Sequence, residues 1–384
     1  MLQDYYHDLS AALLPGYFAS GNENSEPPPD NGLIQGTNYF NCSTLDPSSG
    51  YNCTNSTQAE ISVLQGQRYR LRLINSGSIG EFQFSVDNHT LAVIEADGTV
   101  LEPVSVHRLE IAVAQRYSVI LTANQTAANY WIRATLNTFC FADNPLLDPA
   151  IKGILSYTNT TNTPTNNQSA DWADALDTQC VDLNATTLVP LVAQVAPPAD
   201  KMFVVDASFQ IGANAIDHAF INSTSWIPAS VPTLNQAVAG LAANNATFSS
   251  TGLSTAYDTS TQFVIDISDY GVVDLLINNF DEGAHPFHLH GHTFWVMATG
   301  LTGYFDYASY GKLDTTNPLR RDTITIPAYG WVLIRFDASN PGLWPLHCHI
   351  SWHMEAGLLM QFQARNDIMK TWTIPSDVLA LCNA

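Results

Sequence analysis

The run RYRLRLIN, Arg68 to Asn75, sets Tyr69, Leu71 and Leu73 on one side of an extended chain and three arginines on the other. That alternation belongs to a half-buried β-strand. QRYSVILTA (115–123) and GWVLIRFDA (330–338) read the same way. Short runs rich in Val, Ile, Thr, Tyr and Phe recur between clusters of Gly, Pro, Asn, Asp and Ser, and no long helical period interrupts them. The chain is therefore expected to be all-β, built of β-sandwich domains.

An internal repeat divides it. YRLRLINSG near residue 70 resembles VDLLINNFD near residue 275, and Tyr117–Ala134 aligns without gaps on Val332–His349. Where the second copy carries His347-Cys348-His349, the first carries Ile132-Arg133-Ala134. A length of 384 residues suits two or three domains. The polar stretch after residue 157, with Pro164 and no apolar period, reads as a linker. The expected domains are 1–157 and 186–384, with a linker over 158–185.

The formal net charge is −21, yet only 13% of residues are charged. A nucleic-acid binder needs a basic surface, so that class is excluded. The balance suits a soluble protein, one that could work at low pH. No apolar run reaches the length of a membrane span. The opening MLQDYYHDLSAALLPGYF lacks the basic, apolar and cleavage regions of a signal peptide. Secretion is nonetheless expected, because N-x-S/T acceptors start at Asn41, Asn52, Asn55, Asn88, Asn124, Asn159, Asn167, Asn184, Asn222 and Asn245. Chance in an Asn/Thr-rich chain accounts for several of these. Of six cysteines, Cys42 and Cys53 flank one turn-rich loop, and Cys140 and Cys180 flank a Thr/Asn-rich stretch. Each pair could close by a disulfide. Cys382 is left over, either for a partner outside this chain or as a free thiol.

Seven of the eleven histidines fall in HPFHLHGH (His285–His292) and HCHISWHMEAGL (His347–Leu358). Cys348 sits among them. Structural zinc sites show paired cysteines at C-x₂₋₄-C spacing, which is absent. One thiolate with two nearby histidines and a weak axial position is the ligand set of blue copper. Alternation on a strand puts His347 and His349 on one face and Cys348 on the other, so a single strand could serve two metal sites. His353 can return to the thiolate side. Leu358 lies where an axial methionine could be; leucine cannot coordinate, which favours Cu(I) and raises the potential. His288 and His290 share a face, and His285 precedes Pro286, which biases it to extended geometry. The isolated His7, His89, His107 and His218 read as structural or surface residues, and Asp281 and Glu282 as turn residues.

These two motifs resemble those of the multicopper oxidases, most closely the fungal laccases, and stand here in full. The likeness extends through DYYH, LRLIN, AQRYSVILTANQT and NYWIRA. Family members are built from three cupredoxin domains, Greek-key β-sandwiches or barrels, and this chain resembles the second and third. The resemblance implies that His285, Cys348 and His353 are type 1 copper ligands with Leu358 axial. It implies His288 at type 2 copper, and His290, His347 and His349 at type 3. His353 resembles the ligand that takes the electron from substrate; His292 matches the motif without being a ligand. The implied reaction is one-electron oxidation of phenols or aromatic amines, coupled to four-electron reduction of O₂ to water.

Two departures qualify it. The family's trinuclear cluster needs eight histidines, and no H-x-H pair exists outside the two motifs. A first cupredoxin domain is therefore expected to be missing and to act as the partner that completes the cluster. The type 1 site is then complete, the cluster half-liganded and the isolated chain impaired. The second departure concerns an acid often found near the substrate. Ile79 stands there by register, and Glu81 could substitute as a catalytic acid or base. The competing reading of Glu81 is an exposed loop glutamate. Asn137 resembles another pocket residue. Two functional alternatives stand beside laccase: a type 1 copper electron carrier or remnant, and a ferroxidase.

Overall fold

The computed structural model describes residues 1–384 except 23, 24, 46, 49, 55, 159–168, 175, 213, 244–256 and 382–384. Its contacts divide the chain into two units, Met1–Val192 and Ala193–Ala384. Both are built from β-sheets, in agreement with the all-β expectation.

In the first unit one sheet carries four strands in the order Arg68–Ile74, Arg116–Thr122, Leu91–Ala96, Thr99–Val106. A second carries five, in the order Glu60–Val63, Ala150–Tyr157, Asn129–Leu136, Phe82–Val86, Arg108–Ile111. Strand Arg68–Ile74 pairs antiparallel with Arg116–Thr122, its arginines exposed and Leu73 buried, as the alternation requires. Phe82, Phe84, Val119, Leu121 and Ile132 are buried. Removing a side chain of this size from water stabilises the fold by about 1.5–3 kcal/mol. Strand Leu2–Tyr5 pairs with Asn31–Ile34. Its buried Asp4 carboxylate accepts the backbone N–H groups of Ser78 (2.8 Å), Ile79 (2.8 Å) and Gly80 (2.7 Å).

Both disulfides expected from the cysteine positions are present, Cys42–Cys53 and Cys140–Cys180. Cys382 lies outside the described residues. So does part of the 158–185 stretch. Within it, Ser169 donates to Asp87 (2.6 Å) and the Trp172 indole N–H donates to the Val86 carbonyl (3.2 Å). Asp87, fully buried, also accepts two bonds from the Arg133 guanidinium at 2.7 and 3.0 Å.

The second unit has a six-stranded sheet, in the order Asp217–Ile221, Lys201–Ile211, Val272–Asn279, Trp331–Asp337, Phe294–Gly300, Arg320–Arg321. Its five-stranded sheet runs Val264–Asp266, Leu359–Ala364, Gly342–Cys348, His285–Leu289, Thr323–Ile326. Phe336 of the first sheet meets Phe362 of the second at 5.2 Å between ring centroids, so the sheets face each other across an aromatic core. The chain crosses from Trp331–Asp337 in one sheet to Gly342–Cys348 in the other. In the first unit it crosses likewise from Arg116–Thr122 to Asn129–Leu136. The internal repeat therefore marks the same crossover in both units.

Short helices are the main addition to the sequence reading. Thr233–Ala242 places Leu234, Ala237, Val238 and Leu241 against Tyr257, Val264 and Met369. The spacing is helical, but too short to stand out among strands. A single turn, Ser351–Glu355, follows the cysteine-bearing strand.

Candidate metal centre

Strands His285–Leu289 and Gly342–Cys348 are antiparallel neighbours, with Phe287 opposite Cys348 and His288 opposite His347. That register brings the two histidine motifs together. The pleat then sorts them. His285 and Cys348 lie on one side, and the helical turn Ser351–Glu355 swings His353 back to join them. Cys348 Sγ is 3.8 Å from His285 Nδ1 and 3.6 Å from His353 Nδ1, and the two ring nitrogens are 2.9 Å apart. His285 and Cys348 are fully buried and His353 nearly so. Among the described residues, this is the one group whose three donor atoms all lie within 4.8 Å of one another.

The tautomers suit a cation. His285 Nε2 faces the Asp281 carboxylate at 3.1 Å. A proton held on that nitrogen leaves Nδ1 with its lone pair directed at Cys348 and His353. Nδ1 of both imidazoles and the Cys348 sulfur then face one buried point. The donor set fits copper, whose thiolate–imidazole sites are of this kind. Burial pushes the Cys348 thiol up, but His353 and His285 more than offset it and bring it down to about 7. Leu358 is fully buried, and its backbone carbonyl accepts the Cys348 N–H at 3.1 Å. The preceding Gly357 has φ 113°, and a Cβ there would overlap Ser225 Oγ and sit 2.9 Å from the Ala219 carbonyl.

On the other side of the same strand, four rings gather. His290 Nε2 lies 3.0 Å from His347 Nε2. Ring centroids are 4.9 Å apart for His288–His290, 5.9 Å for His288–His349 and 5.4 Å for His347–His349. His288 Nδ1 points at the Asp322 carbonyl (3.0 Å), and His347 Nδ1 at the Cys348 carbonyl (2.8 Å). Both contacts leave Nε2 as the free lone pair. Burial, joined by His349, His290 and His288, lowers His347 to about 3, so it is neutral and able to coordinate at ordinary pH. Gly291 permits the tight turn between His290 and His292: its φ is 70°, and a Cβ there would overlap the Trp344 ring.

Residues 1–160 and residues 226–367 each match a family model described as multicopper oxidase. The chain belongs to the multicopper oxidase family. It is 32% identical to the iron transport multicopper oxidase fio1 of Schizosaccharomyces pombe, over 99% of this chain and 57% of that protein. It is 36% identical to Laccase-5 of Trametes villosa, over 93% of this chain and 61% of that protein. The chain thus spans about three-fifths of the length of these curated relatives. The crystal structure of the laccase from Botrytis aclada superimposes with a TM-score of 0.84 at 31% identity, covering 100% of this chain and 66% of that one. The cupredoxin-like fold follows from this membership, and the family implies copper binding.

For a multicopper oxidase, two neighbours of the centre escaped the sequence reading. Phe209, on strand Lys201–Ile211, stacks on His285 (5.7 Å, 17°) and meets His353 edge-on (4.9 Å, 68°). No local signal announces it, since the contact is made across strands far apart in sequence. Asp281 is a turn residue, as read: its carboxylate accepts the Gly283 N–H at 2.9 Å. The same carboxylate also orients His285, and its position four residues before a ligand-type histidine was the available clue. Burial raises the Asp281 carboxyl, but its bond to His285 prevails and holds it below the usual range.

Glu81 lies in the first unit and is only 5% exposed, which overturns the exposed-loop reading. The Asn137 amide donates to it at 3.4 Å. Burial, joined by the Glu110 and Asp182 charges, raises its carboxyl well above the usual range. His89 is structural, bonded to the Asp87 carbonyl and the Tyr157 hydroxyl, each at 2.7 Å.

Proposed function

We propose that the protein is a laccase-type oxidase that removes single electrons from phenols or aromatic amines and delivers four of them to O₂, giving two waters. The observation that carries this reading is Cys348. It is a buried thiol flanked by two imidazoles on one side of a strand whose His347 faces another histidine group on the other side. In this reading His285, Cys348 and His353 would hold a type 1 copper, next to the buried, non-coordinating side chain of Leu358. His288, His290, His347 and His349 hold one half of a trinuclear cluster, and a further cupredoxin domain supplies the other half. Copper held by these residues would supply one-electron transfer, and the histidine cluster would hold the metals for oxygen reduction.

The protein's own residues do the rest. Asp281 keeps a proton on His285 Nε2, and Phe209 covers both imidazoles and excludes water from the thiolate. Each phenol that loses an electron also loses a proton, and four electrons with four protons convert O₂ to two waters. Glu81 is proposed to take part in this proton transfer; burial raises its carboxyl, so it accepts a proton only where the pH exceeds that raised pKa. Secretion is part of the reading. The six acceptor asparagines among the described residues, Asn41, Asn52, Asn88, Asn124, Asn184 and Asn222, are all exposed. Asn55, Asn159, Asn167 and Asn245 lie outside the described residues.

Ferroxidase activity is the second reading. An iron substrate needs acids beside the electron-entry site, and Asp281 lies 3.1 Å from His285. The likeness to fio1 favours the same reading. Copper content and the visible spectrum test the site first. About one copper per chain with an intense blue band is expected for the chain by itself, whereas four would mean that the cluster ligands come from residues not recognised here. Relative turnover of Fe(II) and a phenol by the full-length protein, with and without Asp281→Ala, then separates the two activities.

A further inference from the structure

A cavity of about 570 Å³ opens in the first unit, within the range of small-molecule sites. The rings of Tyr5, His7, Phe40 and Tyr51 line it. His7 stands at their centre, 5.5 Å from Tyr5, 6.4 Å from Phe40 and 4.6 Å from Tyr51. Amides of Asn31, Asn38 and Asn52 and hydroxyls of Thr37, Thr54 and Ser56 are its polar groups, beside Leu33 and Leu45. Asn38 donates to Asn31 at 2.8 Å, and Thr37 donates to the Thr57 carbonyl at 2.7 Å, so the wall is partly tied together. The Tyr51 hydroxyl is turned to the Asp8 carboxylate at 2.6 Å.

None of the lining residues is Asp, Glu, Lys or Arg, in a chain of net charge −21. The lining thus carries no carboxylate, ammonium or guanidinium, which favours a neutral ligand. Aromatic faces offer apolar contact, while amides and hydroxyls offer both donors and acceptors. That combination matches a neutral pyranose, whose C–H face lies on rings while its hydroxyls and acetamide pair with amides. One such ring has a ready attachment point. Asn52 lines the cavity, it is the acceptor of the sequon Asn52-Cys53-Thr54, and both Asn52 and Thr54 are exposed. The Cys42–Cys53 disulfide fixes that sequon beside Phe40 and Leu45.

We infer that Asn52 is N-glycosylated and that its first N-acetylhexosamine seats in this cavity against Tyr51, His7 and Phe40. A covalent tether supplies the sugar at high effective concentration, so weak stacking suffices to hold it. The seated sugar closes the mouth of the cavity and holds the sequon against Phe40 and Tyr51. Occupancy of Asn52 rests on the secretory reading above; the exposed acceptor Asn88 reports on that reading separately.

The test uses the full chain from a secretory eukaryotic host. Glycopeptide mass spectrometry reads occupancy at Asn52 and Asn88, and hydrogen exchange is compared over 36–43 and 51–57. Relative to Thr54→Ala, which destroys the sequon but keeps Asn52, exchange in these segments should be about fivefold slower in the native glycoprotein. Thr54→Ser keeps the sequon and should keep the protection. Phe40→Ala should retain the glycan and lose the protection. A glycan on Asn88 with none on Asn52 overturns the inference, and so does an occupied Asn52 whose loop exchanges as fast as in Thr54→Ala.

Discussion

Leu358 is fully buried, and its carbonyl is bonded to the N–H of Cys348, so whatever side chain stands there is tied to the sulfur-bearing residue. Leu→Met is close to volume-conserving and should fold normally. It adds a thioether donor, which stabilises the oxidised ion and lowers the potential by about 59 mV for each tenfold gain in its relative affinity. Potentiometric titration of the copper-loaded Leu358→Met variant should therefore read a lower value than the native chain. An unchanged or higher potential would show that the side chain at 358 does not reach the copper. At this scale the sequence was informative where chemistry is encoded locally. His285, Cys348 and His353 could be named because the motifs carry them together. Phe209 could not, because its role exists only once strand Lys201–Ile211 has found its place.

The elements show how the centre is held. The loop between strands Val272–Asn279 and His285–Leu289 carries Asp281, and Asn279 locks it. The buried Asn279 amide donates to the carbonyls of Gly283 (2.7 Å) and Pro327 (3.0 Å), while its oxygen accepts the Asp281 N–H (2.9 Å). From the facing turn, the Tyr329 N–H donates to the Asp281 carbonyl at 3.1 Å, and the Asn279 N–H reaches Gly330 at 2.8 Å. Tyr329 accepts a left-handed backbone, φ 53°, to make this bond. Asn279→Leu leaves the Asp281 N–H and the Gly283 carbonyl unpaired, while Pro327 keeps its bond from the Gly330 N–H, and stability should fall by about 2–4 kcal/mol. With Asp281 displaced, His285 loses its orientation, and copper affinity should drop roughly 10- to 100-fold. Chelator competition measures it, and wild-type affinity in a folded Asn279→Leu protein would disprove the clamp. Period-2 alternation made the strands readable in advance. The turn Ser351–Glu355, which delivers His353, is too short to show a period, and the Asn279 lock joins segments that only the sheet brings together.

Across the molecule, burial raises several carboxyls. Burial, reinforced by the nearby Asp177 charge, raises Glu110 to about 8, and Glu81 is raised well above its ordinary value by burial and by Glu110 and Asp182. Asp266 in the second unit is also raised, chiefly by burial. Between an ordinary carboxyl pKa near 4.5 and the raised values, the folded chain keeps protons that the unfolded chain releases. The folded state then binds more protons, and stability falls as pH rises through this window. Groups such as Glu95, lowered by its bond from Ser118, act oppositely: their contribution is present at higher pH and is lost on acidification below about 4. The thermal midpoint should therefore peak near pH 5 and decline towards pH 8. General repulsion from the −21 charge acts in the same direction, so the slope alone does not assign the cause. Glu110→Gln does. It removes one titrating group, keeps the shape, and should recover on the order of a few kcal/mol at pH 8 relative to pH 5. Calorimetry of both proteins across pH 4–8 measures the difference. Parallel slopes in the two would assign the pH dependence to overall charge, and a native midpoint that rises from pH 5 to pH 8 would contradict the protonated state of the buried acids.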